Sequence, residues 1–207
     1  TGGAPAYLNG DGNELIRLEI AEANITIANF FRLSGSLAFE KGPVYNVNMA
    51  TGIPAAVGSA LSSVGLDSIA SSLSSVAGVT IGEKFSTIEN LPMESMSLGG
   101  ANLKAFAGFG DFDFDKPFTE QDDFFGFAID DLNFAVSMFT SAFPIPNFPT
   151  LMAATAEASE FAFQAGASEV MKLTGQDIRF NLNIGSTWGG TPYNPALDFE
   201  ASFPGNS

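Results

Sequence analysis

The sequence predicts a mostly β protein, an elongated antiparallel β-sandwich or solenoid-like repeat unit with one or two short helices near 53–77. Three observations carry this. Apolar and polar residues alternate with a period of two along much of the chain, as in half-buried strands. A ten-residue pattern recurs four times. Helical spacing of apolar residues is confined to the stretch 53–77.

The first copy of the pattern is LEIAEANITI, 18–27: two alternating runs separated by small or polar residues, with an Asn between them. MSLGGANLKA (96–105), FAIDDLNFAV (127–136) and MKLTGQDIRF (171–180) keep that register, placing Asn102, Asn133 and Asp177 on Asn24. Each copy reads as strand, bend or bulge, strand, the Asn or Asp side chain bonding its own backbone at the bend. Catalysis is the competing role for these residues, but a catalytic group rarely needs to be present in every copy. SGSLAFEK (34–41) aligns with FGDFDFDK (109–116), and ASEFAFQA (158–165) is a looser echo. The chain 1–207 therefore reads as a single β-rich repeat module, with internal pseudo-repeats starting near 18, 96, 127 and 171.

Further strands are expected at 44–50, 151–165, 180–184 and 196–203. Between 53 and 77, Val57, Leu61, Val64, Ile69, Leu73 and Val76 recur at roughly helical spacing, with Pro54 suited to a first turn and a break near Gly65. A helix capping the open end of a sheet fits this stretch. A lipid-seeking helix fits less well, because the stretch has no Lys, Arg or Trp. The three prolines of 140–150 suit an edge or a connection, with Phe143, Ile145 and Phe148 packed locally or offered to a partner. The stretch 186–197 is turn-rich and holds the only Trp, which with a nearby Tyr makes a residue pair that can contact sugar.

The most charged segment is GDFDFDKPFTEQDD, 110–123. Asp111, Asp113 and Asp115 alternate with Phe112 and Phe114, which predicts a strand with the phenylalanines inward and the aspartates outward. Against a calcium loop, Asp111, Asp113, Asp115 and Asp122 fall at positions 1, 3, 5 and 12, but Lys116 stands where Gly is required. A surface Ca2+ clamp made by Asp115, Glu120, Asp122 and Asp123 is the remaining metal reading. Asp122, Asp123, Asp130 and Asp131 are the nearest approach to the paired carboxylates of a glycan-active enzyme, but acidic doublets on strand ends are usually solvated.

Composition narrows the function classes. A formal charge of −15, from 23 acidic and 8 basic residues, argues against nucleic acid or an anionic membrane surface as partner. The chain has neither cysteine nor histidine, which removes disulfides, Cys/His zinc sites and histidine-based triads. No apolar run is long enough for a transmembrane helix. The opening TGGAPAYLNG carries neither a start methionine nor a signal peptide and suggests a mature or excised piece. Asn24 begins an Asn-x-Thr sequon. Phe occurs 21 times, which permits a Phe-lined groove for an apolar ligand as well as a Phe-rich core.

As a set, ELIRLEIAEANITIANFFRLSGSLAFEK, SLGGANLKAFAGFGD, FGFAIDDLNFAVSMF, LTGQDIRFNLNIG and LDFEASFPG resemble the tandem repeats, about as long as this chain, of very large secreted or cell-surface bacterial proteins. Those repeats are often described as calcium-binding or adhesin-like. The resemblance runs through nearly the whole chain and is weakest over 53–90. It implies a secreted, non-enzymatic building block of a filament, stalk or adhesin, which assembles end to end with identical or homologous units and brings no catalytic residues. A binding module for an apolar, lipid-like or glycan ligand is the alternative expectation.

Overall fold

Long alternating runs rich in Phe, Leu, Ile and Val become long strands. The computed structural model describes residues 15–28, 30–61, 65–110, 112–121, 124–165, 171–189 and 191–204. Its strands are β1 (Ile16–Ile27), β2 (Phe31–Ala50), β3 (Thr80–Ile81), β4 (Thr87–Gly110), β5 (Phe124–Ser141), β6 (Leu151–Ala165), β7 (Met171–Gly185) and β8 (Ala196–Asp198). All belong to one antiparallel sheet in the order β1-β2-β4-β5-β6-β7, with β3 beside β4 and β8 beside β2. The mostly β, antiparallel architecture with short helices is the one the sequence predicts. At about 3.4 Å per residue, β4 alone would extend roughly 80 Å if straight.

The four sequence copies lie on β1, β4, β5 and β7, and a line of irregularities crosses the sheet through them. Asn102, Asp131 and Asp177 have φ of 51°, 49° and 52°, the left-handed region that Asn and Asp tolerate better than most side chains. The register of β1 on β2 shifts between Ile20 and Ala23, and that of β4 on β5 between Gly100 and Leu103. Asn102 and Asp177 stand at the bend where the repeat places them. On β5 the left-handed residue is Asp131, while Asn133 donates to the Asp131 carbonyl and accepts from the Asn102 amide. Gly35 sits at φ 138°, and a Cβ there would lie 2.8 Å from the Asn102 carbonyl oxygen and the Leu103 Cα. Only glycine lets β2 pass so close to β4 at this point.

One face of the sheet carries a lobe at each end. At the end where β2, β4, β5 and β6 bring Val47, Leu91, Phe139 and Leu151 together, the face is covered by α1 (Ala55–Gly58), α2 (Asp67–Ser74) and Trp188, Tyr193, Leu197 and Phe203 from the C-terminal part of the chain. Ile69 and Leu73 of α2 are buried in this core, which matches a capping helix, and Gly65 (φ 71°) breaks the helical stretch between α1 and α2. Val64 lies outside the described residues. Ile145 and Phe148 of the proline-rich connection pack on the same core, whereas Phe143 is exposed.

At the other end, Phe106, Phe112, Phe118, Phe124, Ala128 and Ala162 form a second core, with Phe106 and Phe112 stacked at 4.8 Å. Here a prediction fails. The stretch 109–115 is not a strand throughout, because β4 ends at Gly110 (φ 104°) and 112–116 is a loop. Phe112 and Phe114 nonetheless turn inward, and the Gln121 side chain takes the place of a strand partner by bonding the Asp113 amide and the Asp113 and Lys116 carbonyls. The strand expected over 196–203 likewise stops at Asp198, whose side chain caps α3 (Phe199–Ser202) by accepting from the Ala201 amide.

Replacing Leu73, fully buried under the first lobe, with Ala is expected to lower the unfolding free energy by about 2–5 kcal/mol. Ser71→Ala on the exposed side of α2 is expected to change it by less than about 0.5 kcal/mol. Urea denaturation of the two variants checks this.

Candidate interaction surface

Residues opposite one another in an antiparallel ladder share a face, so register alone assigns the two surfaces of the sheet. Three rows cross all six long strands: Ile16–Lys41–Met96–Met138–Met152–Ile184, Leu18–Phe39–Leu98–Val136–Ala154–Leu182, and Ile20–Leu37–Gly100–Phe134–Ala156–Phe180. Lys41 is the one charged residue in them. The intervening rows, Arg17–Glu40–Ser97–Ser137–Ala153–Asn183 and Glu19–Ala38–Gly99–Ala135–Thr155–Asn181, point to the other face and are small or polar.

Past the irregular line the apolar set continues on the same face. A depression of about 120 Å³ is lined jointly by Phe180, Ala156, Ile178, Ala158 and Leu132 and, with the parity changed, by Ile129 and Phe161, with Glu157 the one charged residue at it. Beyond it run Ile25–Leu33–Ala105–Ile129–Phe161–Gly175 and Ile27–Phe31–Ala107–Phe127–Phe163–Leu173. The result is one continuous apolar face. Among the described residues no helix or loop covers it: Leu18, Leu98 and Phe180 are 56%, 44% and 54% exposed, and Phe127 and Leu173 are also exposed. Leu103 and Ala158 are buried within it, Leu103 where it folds over Gly35 and Gly100.

The opposite face is different in kind. Both lobes stand on it: Tyr45 meets Phe203 at one end, and at the other Lys104 donates to the Phe114 carbonyl while Arg32 lies over the Phe106 and Phe114 rings. Between the lobes lies a floor of small residues, with Ser97 and Ser137 bonded at 2.8 Å and Arg17 paired with Glu40 at 2.6 Å. The hydrogen bond to Glu40, and then its charge, raise the Arg17 pKa. A hollow of about 470 Å³ opens on this floor beside Phe199.

The sequence-predicted acids do not form one constellation. Asp115 and Glu120 lie exposed on the loop after β4, and the Asp115 amide donates to Asp113 in a local turn. Asp111, Asp122 and Asp123, the rest of the expected calcium and carboxylate sets, lie outside the described residues. Among the described residues, no three acidic side chains are placed together to hold a metal ion. Asp130 pairs with Lys104 at 3.8 Å, and Asp131 accepts from the Ser159 hydroxyl at 2.8 Å. Those bonds fit a role in the bend.

Trp188 is not a sugar platform. It is fully buried in the first lobe, edge-on to Phe85 and Phe148, and its indole nitrogen donates to the Thr51 carbonyl at 2.7 Å. The feature that sequence reasoning missed is the bare apolar face. Its signal was present in the alternation of the copies, whose dry side reads as a core side when each copy is taken alone. No helix among the described residues is long and apolar enough to cross a membrane. Comparison with protein-family models, curated proteins and solved structures finds no match to this chain.

Because Trp188 is the only tryptophan, intrinsic emission reports on this lobe alone. It is expected to be blue-shifted, shielded from acrylamide and unchanged by added oligosaccharides. A fluorescence titration checks all three.

Proposed function

We propose that the chain is a non-enzymatic structural module of a bacterial extracellular filament, stalk or giant adhesin, assembling end to end with identical or homologous units, with Ca2+ as a stabiliser. The observation that carries this reading is the pair of outer strands. Among the described residues, β1 pairs only with β2 and β7 only with β6. Each therefore offers a row of backbone N–H and C=O groups to an incoming strand, the chemistry of strand addition, except at the end of β7, where Pro195 and Asn194 bond the Gly185 backbone. The net charge of −15 supplies repulsion that cations would relieve, which makes such assembly sensitive to salt and calcium.

A second reading is a binding module for an apolar, lipid-like ligand, favoured by the bare apolar face. The two separate by experiment. Electron microscopy and size-exclusion chromatography of the isolated unit are expected to show elongated particles that lengthen with calcium; compact monomers under all conditions would end the structural reading. Native mass spectrometry carrying an acyl-chain adduct would promote the second. Calcium is expected to raise the melting temperature by several degrees relative to chelator, roughly what ~1–3 kcal/mol of binding yields, and Asp115→Asn with Glu120→Gln is expected to reduce that shift.

A further inference from the structure

We propose that the apolar face is a self-association surface on which a second copy of this chain packs face to face, completing a two-layer β-sandwich that a single copy only half builds. The inference deepens the self-assembling reading above and rests on it. Four features of the face point to this occupant.

The first is its size. Six strands at about 4.8 Å spacing, and five rows with the level of the depression between them, about 6.8 Å apart, give roughly 25 by 35 Å, about 900 Å² per copy and about 1,800 Å² for a pair. A stable specific interface needs about 1,600 Å² in total, whereas the largest apolar patch on an ordinary monomer is about 300–600 Å². A single acyl chain would cover a strip about one strand spacing wide and leave most of this face wet.

The second is its clear approach. Both lobes stand on the opposite face, so among the described residues nothing stands in the way of two sheets closing to the ~10 Å of a sandwich. The third is relief. On β5, Val136, Phe134, Leu132, Ile129 and Phe127 form a ridge. It is flanked by small residues on one side at a time: Ala154 and Ala156 on β6 beside Val136 and Phe134, and Ala105 and Ala107 on β4 beside Ile129 and Phe127, while Leu98 and the Phe161 and Phe163 rings stand on the opposite sides. Hollows that alternate across a ridge can receive the ridge of a second copy, as a twofold interface requires. The fourth is charge: within these rows only Lys41 is ionised, and the acids nearest them are Glu94, one row further out, and Glu157 at the depression, so two copies of a −15 chain meet on a surface that carries few like charges.

Sedimentation equilibrium of the full chain in chelator tests the proposal, with electron microscopy of the same samples in calcium. The wild type is expected to dimerise. Leu98→Glu and Val136→Lys, on the apolar face, are each expected to raise the dimer dissociation constant about a hundredfold or more by burying an unpaired charge. Ala135→Lys, its neighbour on the other face, is expected to leave dimerisation unchanged. Circular dichroism and Trp188 emission confirm that each variant is folded, and Leu98→Glu, at an exposed position, serves if Val136→Lys is not.

A wild-type monomer, a dimer indifferent to the apolar-face charges, a dimer broken equally by Ala135→Lys, or a monomer carrying a lipid each overturns the proposal. Failure of the end-to-end reading looks different: dimers form as expected, yet no elongated particles appear with calcium.

Discussion

The line of bulges across the middle of the sheet is the constraint on which the rest depends. Side chains in a strand alternate with a strict period of two, so a long strand with an irregular apolar pattern sends half of it to the wrong face. Asn102, Asp131 and Asp177, each left-handed, reset that alternation on β4, β5 and β7 at the same level. The ladders of β5, β6 and β7 keep one register on either side of it. A left-handed residue costs about 1–2 kcal/mol for most side chains and less for Asn and Asp. In return, the apolar residues before and after the bend fall on a single face. Gly35 belongs to the same device, since the close approach of β2 to Leu103 closes the line on that side.

The sheet is thus anchored at its ends and thin in its middle. Val47, Leu91, Phe139 and Trp188 at one end, and Phe106, Phe112 and Phe124 at the other, sit in cores that exclude water on one face. Between them the strands are held by the hydrogen-bond ladder and by cross-strand contacts that reach solvent on both sides. At about 25 cal/mol per Å² of apolar surface removed from water, covering the apolar face would contribute on the scale of a whole domain's net stability. A unit with this architecture is close to complete in its lobes and least covered in its centre, which is where the proposed association would act.

Much of this was legible in the sequence where one rule acted alone. The helical stretch broken at Gly65, the strand over 151–165 and the bends at Asn102 and Asp177 follow from spacing and turn chemistry. Legibility was lost where two rules competed. The run Asp111 to Asp115 has strand periodicity, but Gly110 turns the chain and Gln121 satisfies its backbone, so the phenylalanines are buried from a loop. Trp188 lies in a turn-rich connection that composition marks as surface, yet it fills the lobe that 53–77 and 186–203 close together. The bare face was hidden for a different reason: period-two alternation states that a strand has a dry side, and only the tertiary structure states whether anything lies against it.

Edge and face also act on one another. On β1, the charges of Arg17 and Glu19 point toward the face that bears the lobes, while Ile16, Leu18 and Ile20 point the other way; on β7, Asn181 and Asn183 oppose Phe180, Leu182 and Ile184. A strand added to either edge in register therefore extends the apolar face by one column, and an apolar face extended by one column binds its facing partner more strongly. Conversely, two sheets already held face to face hold their edges side by side, which raises the local concentration of the next strand's partners. In the proposed assembly, strand addition and face packing would then be two parts of one cooperative process. The charges on the edge strands themselves are nearly balanced, Arg17, Glu19 and Glu22 on β1 and Lys172, Asp177 and Arg179 on β7, so in the proposed assembly salt would act on the net charge of the whole chain more than on the edges.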